Sequence, residues 1–383
     1  MTPAEAKTTS ALPAESVRFN GLWLLSPRAD LAVVLLPLLV MVTAFIYSSA
    51  TAQPVHGPAN RLAIWTAQNI LGNATHVILT FLVFVVRPDT LKATPGQAPR
   101  VLAGIPVMLG AGLLLFALHQ YDKTAQLYVT GVVFNIFGTH HLLSQSKGWW
   151  SLHHLKGRQA GLAAPAPREF TLQRWMVPVN LSIVLVRMLF VPESAAMGDT
   201  PYVDVGQGAV LPYSFLLVLL LGWLGYWGLV FRTVLKGEAV SGPKALYLFA
   251  VASGVGLTLL APMWGNIILP GMHGLEYYLL SSRMLEQRDG DTRAFPKMAI
   301  WPAMVLTMAP LCAIGAISAL HGEVASGTLG TNVISSLADS IWWRVAVTLS
   351  LSCVLAHYWA DALIYRFRIP AVRAVMLKRL GFS

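Results

Sequence analysis

Apolar runs of roughly twenty residues, broken by short polar stretches, recur along most of the chain, which is the length a helix needs to cross a ~30 Å hydrocarbon core. The runs fall near residues 31–50, 62–86, 101–119, 126–146, 175–192, 212–231, 245–262, 264–281, 298–320 and 341–365. The pattern therefore predicts an all-α, polytopic transmembrane bundle of about ten spans. Pro262 and Pro270 interrupt the seventh and eighth runs. That pair reads as two short helices, one broken helix or a re-entrant segment.

Charge adds an orientation. Basic residues gather after even-numbered runs, as in Arg87, Lys92 and Arg100, or Lys147, Lys156, Arg158 and Arg168, and again in the tail at Arg366, Arg368, Arg373, Lys378 and Arg379. The alternate connections are poor in them, 51–60 having none and 193–211 carrying Glu193, Asp199 and Asp204. This alternation predicts both termini on the cytoplasmic side. The expected organisation is a cytoplasmic arm over 1–30, a helical membrane domain over 31–365 and a basic cytoplasmic tail over 366–383, in a bacterial inner (plasma) membrane.

Composition agrees: 55% of the 383 residues are hydrophobic and 11% charged, against about 25% charged in a soluble domain. The formal charge of +10 is scattered at the ends of apolar runs and forms no stripe, which argues against a nucleic-acid partner. Cys312 and Cys353 are the only cysteines and lie on different predicted helices. Neither a disulfide framework nor a CxxC metal site can be built from them.

Against this apolar background seven residues stand out as candidate metal ligands and catalytic groups: His76, His140, His141, His273, Glu276, His357 and Asp361. Ionisable groups at membrane depth are costly and mark functional sites. His273 with Glu276, and His357 with Asp361, have spacings of three and four that put imidazole and carboxylate on one helical face. All seven fall on the second, fourth, eighth and tenth spans, in the cytoplasmic half. His140 and His141 diverge by ~100° on a helix, so either could be the one that faces a shared cavity. Asn73, Gln145 and Tyr277 are candidates to orient the ligands from behind. Taken singly, each histidine also fits a helix-to-helix hydrogen bond, and each pair fits an acid neutralised by its neighbour. His153 and His154 read as solvated residues of the basic loop after span four, and Arg187 as a side chain snorkelling to the interface.

A nitrogen-rich set of imidazoles with two carboxylates suits iron, manganese or zinc. With its site towards the cytoplasm, the arrangement resembles the membrane-bound histidine-box oxygenases, the fatty-acid desaturases, hydroxylases and alkane monooxygenases. The resemblance covers only these histidines and acids. The family's HxxxH and HxxHH boxes are absent, and Thr139-His140-His141-Leu142-Leu143-Ser144-Gln145 holds the residue types of a QxxHH box in another order. The resemblance implies a pair of iron ions, dioxygen, a cytoplasmic-side electron donor and a lipid or isoprenoid-like substrate that is hydroxylated or desaturated. Two other classes stay open. One is an electron-transfer protein holding haem b between facing histidines, and the other is a proton-coupled transporter with a relay of His, Asp and Glu.

Overall fold

The computed structural model describes residues 22–50, 67, 71, 76–92, 96–121, 123–190, 210–236, 241–260, 262–286, 295–325, 340–364 and 369–380. The first 21 residues of the expected arm, Asn73 and most of the first half of the predicted second span lie outside them. Among the described residues the chain is all-helical. In order the helices are α1 (Pro27–Ala50), α2 (Val77–Val86), α3 (Pro88–Leu91), α4 (Gln97–Tyr121), α5 (Lys123–Gln159), α6 (Pro167–Phe190), α7 (Val210–Lys236), α8 (Gly242–Leu260), α9 (Pro262–Leu285), α10 (Lys297–Ala325), α11 (Ile341–Ile364) and α12 (Pro370–Leu380).

Three of these are long and apolar enough to cross a membrane: Pro27–Tyr47 of α1, Ser214–Lys236 of α7 and Gly242–Leu260, the whole of α8. Large apolar side chains such as Leu39, Phe45, Val107, Val218, Leu221 and Leu306 face outwards. That distribution is the reverse of a water-soluble surface and fits contact with lipid. Proline inside α1, α4, α6, α9 and α10 is tolerated where neighbouring helices shield the freed carbonyls.

The region around Pro262 and Pro270 forms two helices. Proline at the first position of α9 supplies a preset φ without losing a needed donor, while Pro270 lies inside the helix. Helices α8 and α9 pack on each other closely enough that a methyl group on Gly265 would meet the backbone of Thr258.

Helix α5 departs most from the expected pattern. It continues through the basic stretch to Gln159, 37 residues in all, or ~55 Å at 1.5 Å per residue. Its last turns pack Trp149, Trp150 and Leu152 into the core. His153 and His154 are therefore buried helical residues, 5% and 7% exposed, and the expectation of a solvated loop is corrected. Arg187 is likewise buried, donating from Nε to the Leu259 carbonyl at 2.9 Å.

Two main apolar cores result, beside a smaller cluster of Ala67, Leu71, Trp264 and Ile267. The larger joins α1, α5, α6, α7, α8 and one face of α9 through residues such as Val33, Leu143, Met176, Val230, Val251 and Met272. The other joins α2, α10 and α11 to the opposite part of α9 through Leu79, Val83, Tyr277, Met284, Met304 and Ala360. Helix α9 belongs to both. Of the polar residues singled out above, His76, His141, His273, Glu276, His357 and Asp361 collect along the seam between the two.

Candidate metal centre

Four elements each bring one imidazole to the seam: His76 immediately before α2, His141 from α5, His273 from α9 and His357 from α11. Their ligating nitrogens all lie within 4.8 Å of one another. His76 Nε2 is at the middle, 3.0 Å from His273 Nε2 and 3.1 Å from His357 Nε2. Ring centroids are 4.5 Å apart for His76 and His273, 4.8 Å for His76 and His357, 4.8 Å for His141 and His273, and 5.0 Å for His141 and His357. His76, His273 and His357 are buried.

Hydrogen bonding among the rings does not account for this convergence. A neutral imidazole nitrogen carries either a proton or a lone pair, not both. His76 Nε2 therefore has one proton or one lone pair to share between His273 and His357, so at most one of the two contacts is a well-aligned hydrogen bond unless an ion lies between. Two nitrogens bound at ~2.1 Å to one ion, at angles of 90–109°, sit ~3.0–3.4 Å apart, which matches both His76 distances. Opposite nitrogens would be at most ~4.2 Å apart, so the widest pair closes slightly around an ion. The Nε2 atom of His141 and the Oδ2 atom of Asp361 are buried and have no hydrogen-bond partner among the described residues. The donor set fits a transition-metal ion.

A group behind the ligands fixes the tautomer of His357, whereas His273 Nδ1 is buried without a hydrogen-bond partner among the described residues. Thr80 Oγ1 lies 2.6 Å from His357 Nδ1 and donates to Asp361 Oδ1 at 3.2 Å. With its own proton given to Asp361, the hydroxyl accepts from His357 Nδ1, and the lone pair of His357 Nε2 then faces the centre. Tyr277 also contacts Thr80 and donates to Asp361 Oδ1 at 3.0 Å. The second oxygen of Asp361 stands 3.5 Å from His357 Nε2 and 3.7 Å from His141 Nε2. Asp361 is thus the carboxylate that borders the imidazoles.

Glu276 is placed differently. Tyr247 donates to its Oε1 at 2.6 Å and Gln145 to its Oε2 at 2.8 Å, and Gln145 Nε2 also lies 3.3 Å from the His273 carbonyl. Both carboxylate oxygens are engaged away from the four nitrogens. The spacing of three that suggested a ligand shared with His273 rotates Glu276 by ~60° and drops it ~4.5 Å along the axis, where α5 and α8 meet it first. His140 is turned out of the cluster. It is exposed, with Ser144 Oγ 3.5 Å from its Nδ1, as the ~100° step from His141 requires. Gln145 contacts the His273 carbonyl and Glu276, and Tyr277 lies against the His76 and His357 rings. Sequence reasoning missed Thr80 and Tyr247. Thr80 had a signal, being four residues beyond His76 and so on the same face, whereas Tyr247 had none.

A second polar cluster occupies the outer end of α5. Glu169, in the first turn of α6, receives three donors on Oε1: His154 Nε2 at 2.7 Å, Lys244 Nζ at 2.8 Å and Trp150 Nε1 at 3.0 Å. Burial alone would raise this carboxyl, but the His154 hydrogen bond and the Lys244 charge outweigh it and bring the group down to about 2. Burial, reinforced by Lys244 and His154, pushes the neighbouring His153 imidazole down to about 3. His153 is neutral at pH 7 in consequence.

The fold and site together describe an all-helical protein with membrane-apolar helices and four histidines able to hold a metal. No protein family, curated protein or solved structure matches the chain.

Proposed function

We propose that the protein is an integral-membrane, non-haem metal oxidoreductase that uses dioxygen to hydroxylate or desaturate a lipid-like substrate, with iron held by His76, His141, His273 and His357. The observation that carries this reading is the convergence of four imidazole nitrogens within 4.8 Å. Nitrogen-rich ligation suits iron, copper and zinc; iron and copper both add redox chemistry with dioxygen, and iron is the metal that the histidine-box resemblance implies. Asp361 borders the imidazoles and Glu276 lies one helical turn from His273. In ionised form these two carboxylates would offset the charge of one divalent ion, and a neutral total lowers the cost of burying the centre in hydrocarbon.

The chain's own groups orient and enclose. Thr80 and Tyr277 hold Asp361 and the His357 tautomer, and Gln145 links α5 to α9 across the seam. A single centre is favoured over the iron pair implied by the histidine-box resemblance, because recruiting Glu276 as a bridge would break its bonds to Tyr247 and Gln145. Ring packing also favours non-haem ligation over haem b. Axial imidazole nitrogens on a haem lie ~4 Å apart across the macrocycle, each ~2 Å from iron, whereas here the rings touch edge to face with nitrogens 3.0–3.1 Å apart. The outward-facing apolar side chains support a substrate that arrives from the bilayer. In the proposed topology ten spans leave both termini, the centre's nearer face and the electron donor on the cytoplasmic side of a bacterial inner membrane.

Metal analysis with optical spectroscopy of the purified protein, wild type beside His357→Ala, tests the proposal. About one equivalent of iron without a Soret band, lost in the variant, is the expected result. A haem spectrum, or wild type without metal after preparation in iron-supplemented medium, overturns it.

A further inference from the structure

A cavity of about 320 Å³ lies beside the outer polar cluster, walled by His153, His154, Glu169, Ser241, Lys244 and the segment around Ala163. It opens outwards past Ala163, Ala164, Ala166 and Lys236, all exposed. His153 forms part of its inner wall. The same imidazole also lines a second, smaller void of about 10 Å³ bounded by Asp30, Trp149, Pro243 and Tyr247. That volume holds about one water molecule, provided two to four polar groups face it.

The void meets this condition. His153 Nδ1 and Trp149 Nε1 are both buried without a hydrogen-bond partner among the described residues, both residues line it, and each is at most 5% exposed. Asp30 adds a carboxylate, whose two oxygens accept from the Leu24 and Leu25 amides and retain lone pairs. Buried polar groups without partners are uncommon, and an ordered water is the usual reason for a pair that shares a small void. Tyr247 makes the inner wall. Its ring stacks on Trp149 and stands 5.9 Å from His153, centroid to centroid, and its hydroxyl donates to Glu276. Glu276 is held in turn by Gln145, which reaches the carbonyl of His273.

We propose that these groups form a proton inlet, running from the open cavity through His153, one buried water and Tyr247 to Glu276 at the edge of the histidine cluster. Each step exchanges a proton for a proton. The imidazole accepts one at one nitrogen and releases one from the other, the water and the phenol each take one and pass one on, and one solvent proton arrives at Glu276 for each that enters. The inlet gives Glu276 a task that ligation does not, since both its oxygens are committed outside the four nitrogens. It follows from the hydrogen-bonding groups themselves and holds whichever ion, if any, the histidines bind.

The test is hydrogen–deuterium exchange of the Tyr247 phenol, followed by infrared spectroscopy after a jump into D2O. The band is assigned by its loss in Tyr247→Phe, and metal content is measured on every sample. Wild type should exchange within seconds, His153→Phe should slow exchange by at least about tenfold, and His153→Gln, which keeps a polar group facing the void, should restore most of the rate. Slow exchange in wild type, an unaltered rate in His153→Phe, or equal slowing by Phe and Gln each overturns the inlet. Loss of metal with intact exchange behaviour would count against the metalloprotein reading alone. An experimental map should also place a water about 3 Å from both His153 Nδ1 and Trp149 Nε1, and a dry void refutes the path.

Discussion

Replacing Glu169 by Gln removes one charge from a site built around it. Lys244 Nζ, His154 Nε2 and Trp150 Nε1 all converge on Oε1 within 3.0 Å, and both members of the Lys244–Glu169 ion pair have side chains under 8% exposed. The drop of the carboxyl from its ordinary 4.5 to about 2 corresponds to roughly 3 kcal/mol in favour of the ionised form at ~1.36 kcal/mol per pH unit. Breaking a buried pair by removing one partner costs about 3–5 kcal/mol, so Glu169→Gln should destabilise by about 3 kcal/mol. Lys244→Met should destabilise too, but the double variant should fall short of the sum by about 2 kcal/mol, because the second substitution removes the charge that the first leaves unpaired. Denaturant titration of the detergent-solubilised protein, followed by tryptophan fluorescence, measures all four corners of the cycle. The pH dependence has a definite sign. Glu169 is depressed in the folded protein, so its contribution is complete above pH 4.5 and is lost as pH falls from there towards 2. Strict additivity of the two substitutions, or a Glu169→Gln variant within about 0.5 kcal/mol of wild type at pH 7, would refute the reasoning.

Three further outcomes follow from the same contacts. His141→Ala should lose the bound metal while His140→Ala keeps it at the wild-type stoichiometry, read by elemental analysis. Thr80→Val removes the hydroxyl that sets the His357 tautomer and should weaken metal affinity by about 10–100-fold, measured by competition with a chelator. Asn180 accepts from both Trp223 Nε1 and Trp227 Nε1 and donates to the Met176 carbonyl, so Asn180→Leu strands two buried indoles and should cost about 2–4 kcal/mol in the same denaturant titration.

Much of the helical framework was legible because hydrophobic run length is a direct physical requirement of a membrane helix. α1, α7 and α8 begin and end within a few residues of the runs that predict them. The outer half of α5 was not, since Lys147, Lys156 and Arg158 resemble an interfacial loop when only hydropathy is read. Its helix is held by Trp149, Trp150 and the Glu169 bonds, which are long-range contacts that a local window does not contain. The imidazoles were conspicuous because histidine is costly in an apolar run, and the structure brings together one from each of the four spans. Glu276 shows the limit of spacing arguments. Its position relative to His273 depends on α9 alone, but what it touches depends on Gln145 and Tyr247 from two other helices.

The histidines draw on both sides of the seam: His141 comes from a helix of the larger core, His76 and His357 from elements of the other, and His273 from the helix they share. An ion bound there would be a clasp as well as a reagent. Two cores that meet over a polar seam have little hydrophobic reason to stay in register there, and a four-point ligand set would supply that reason. Loss of the ion would then loosen the join at the seam, while α9, common to both cores, keeps them connected.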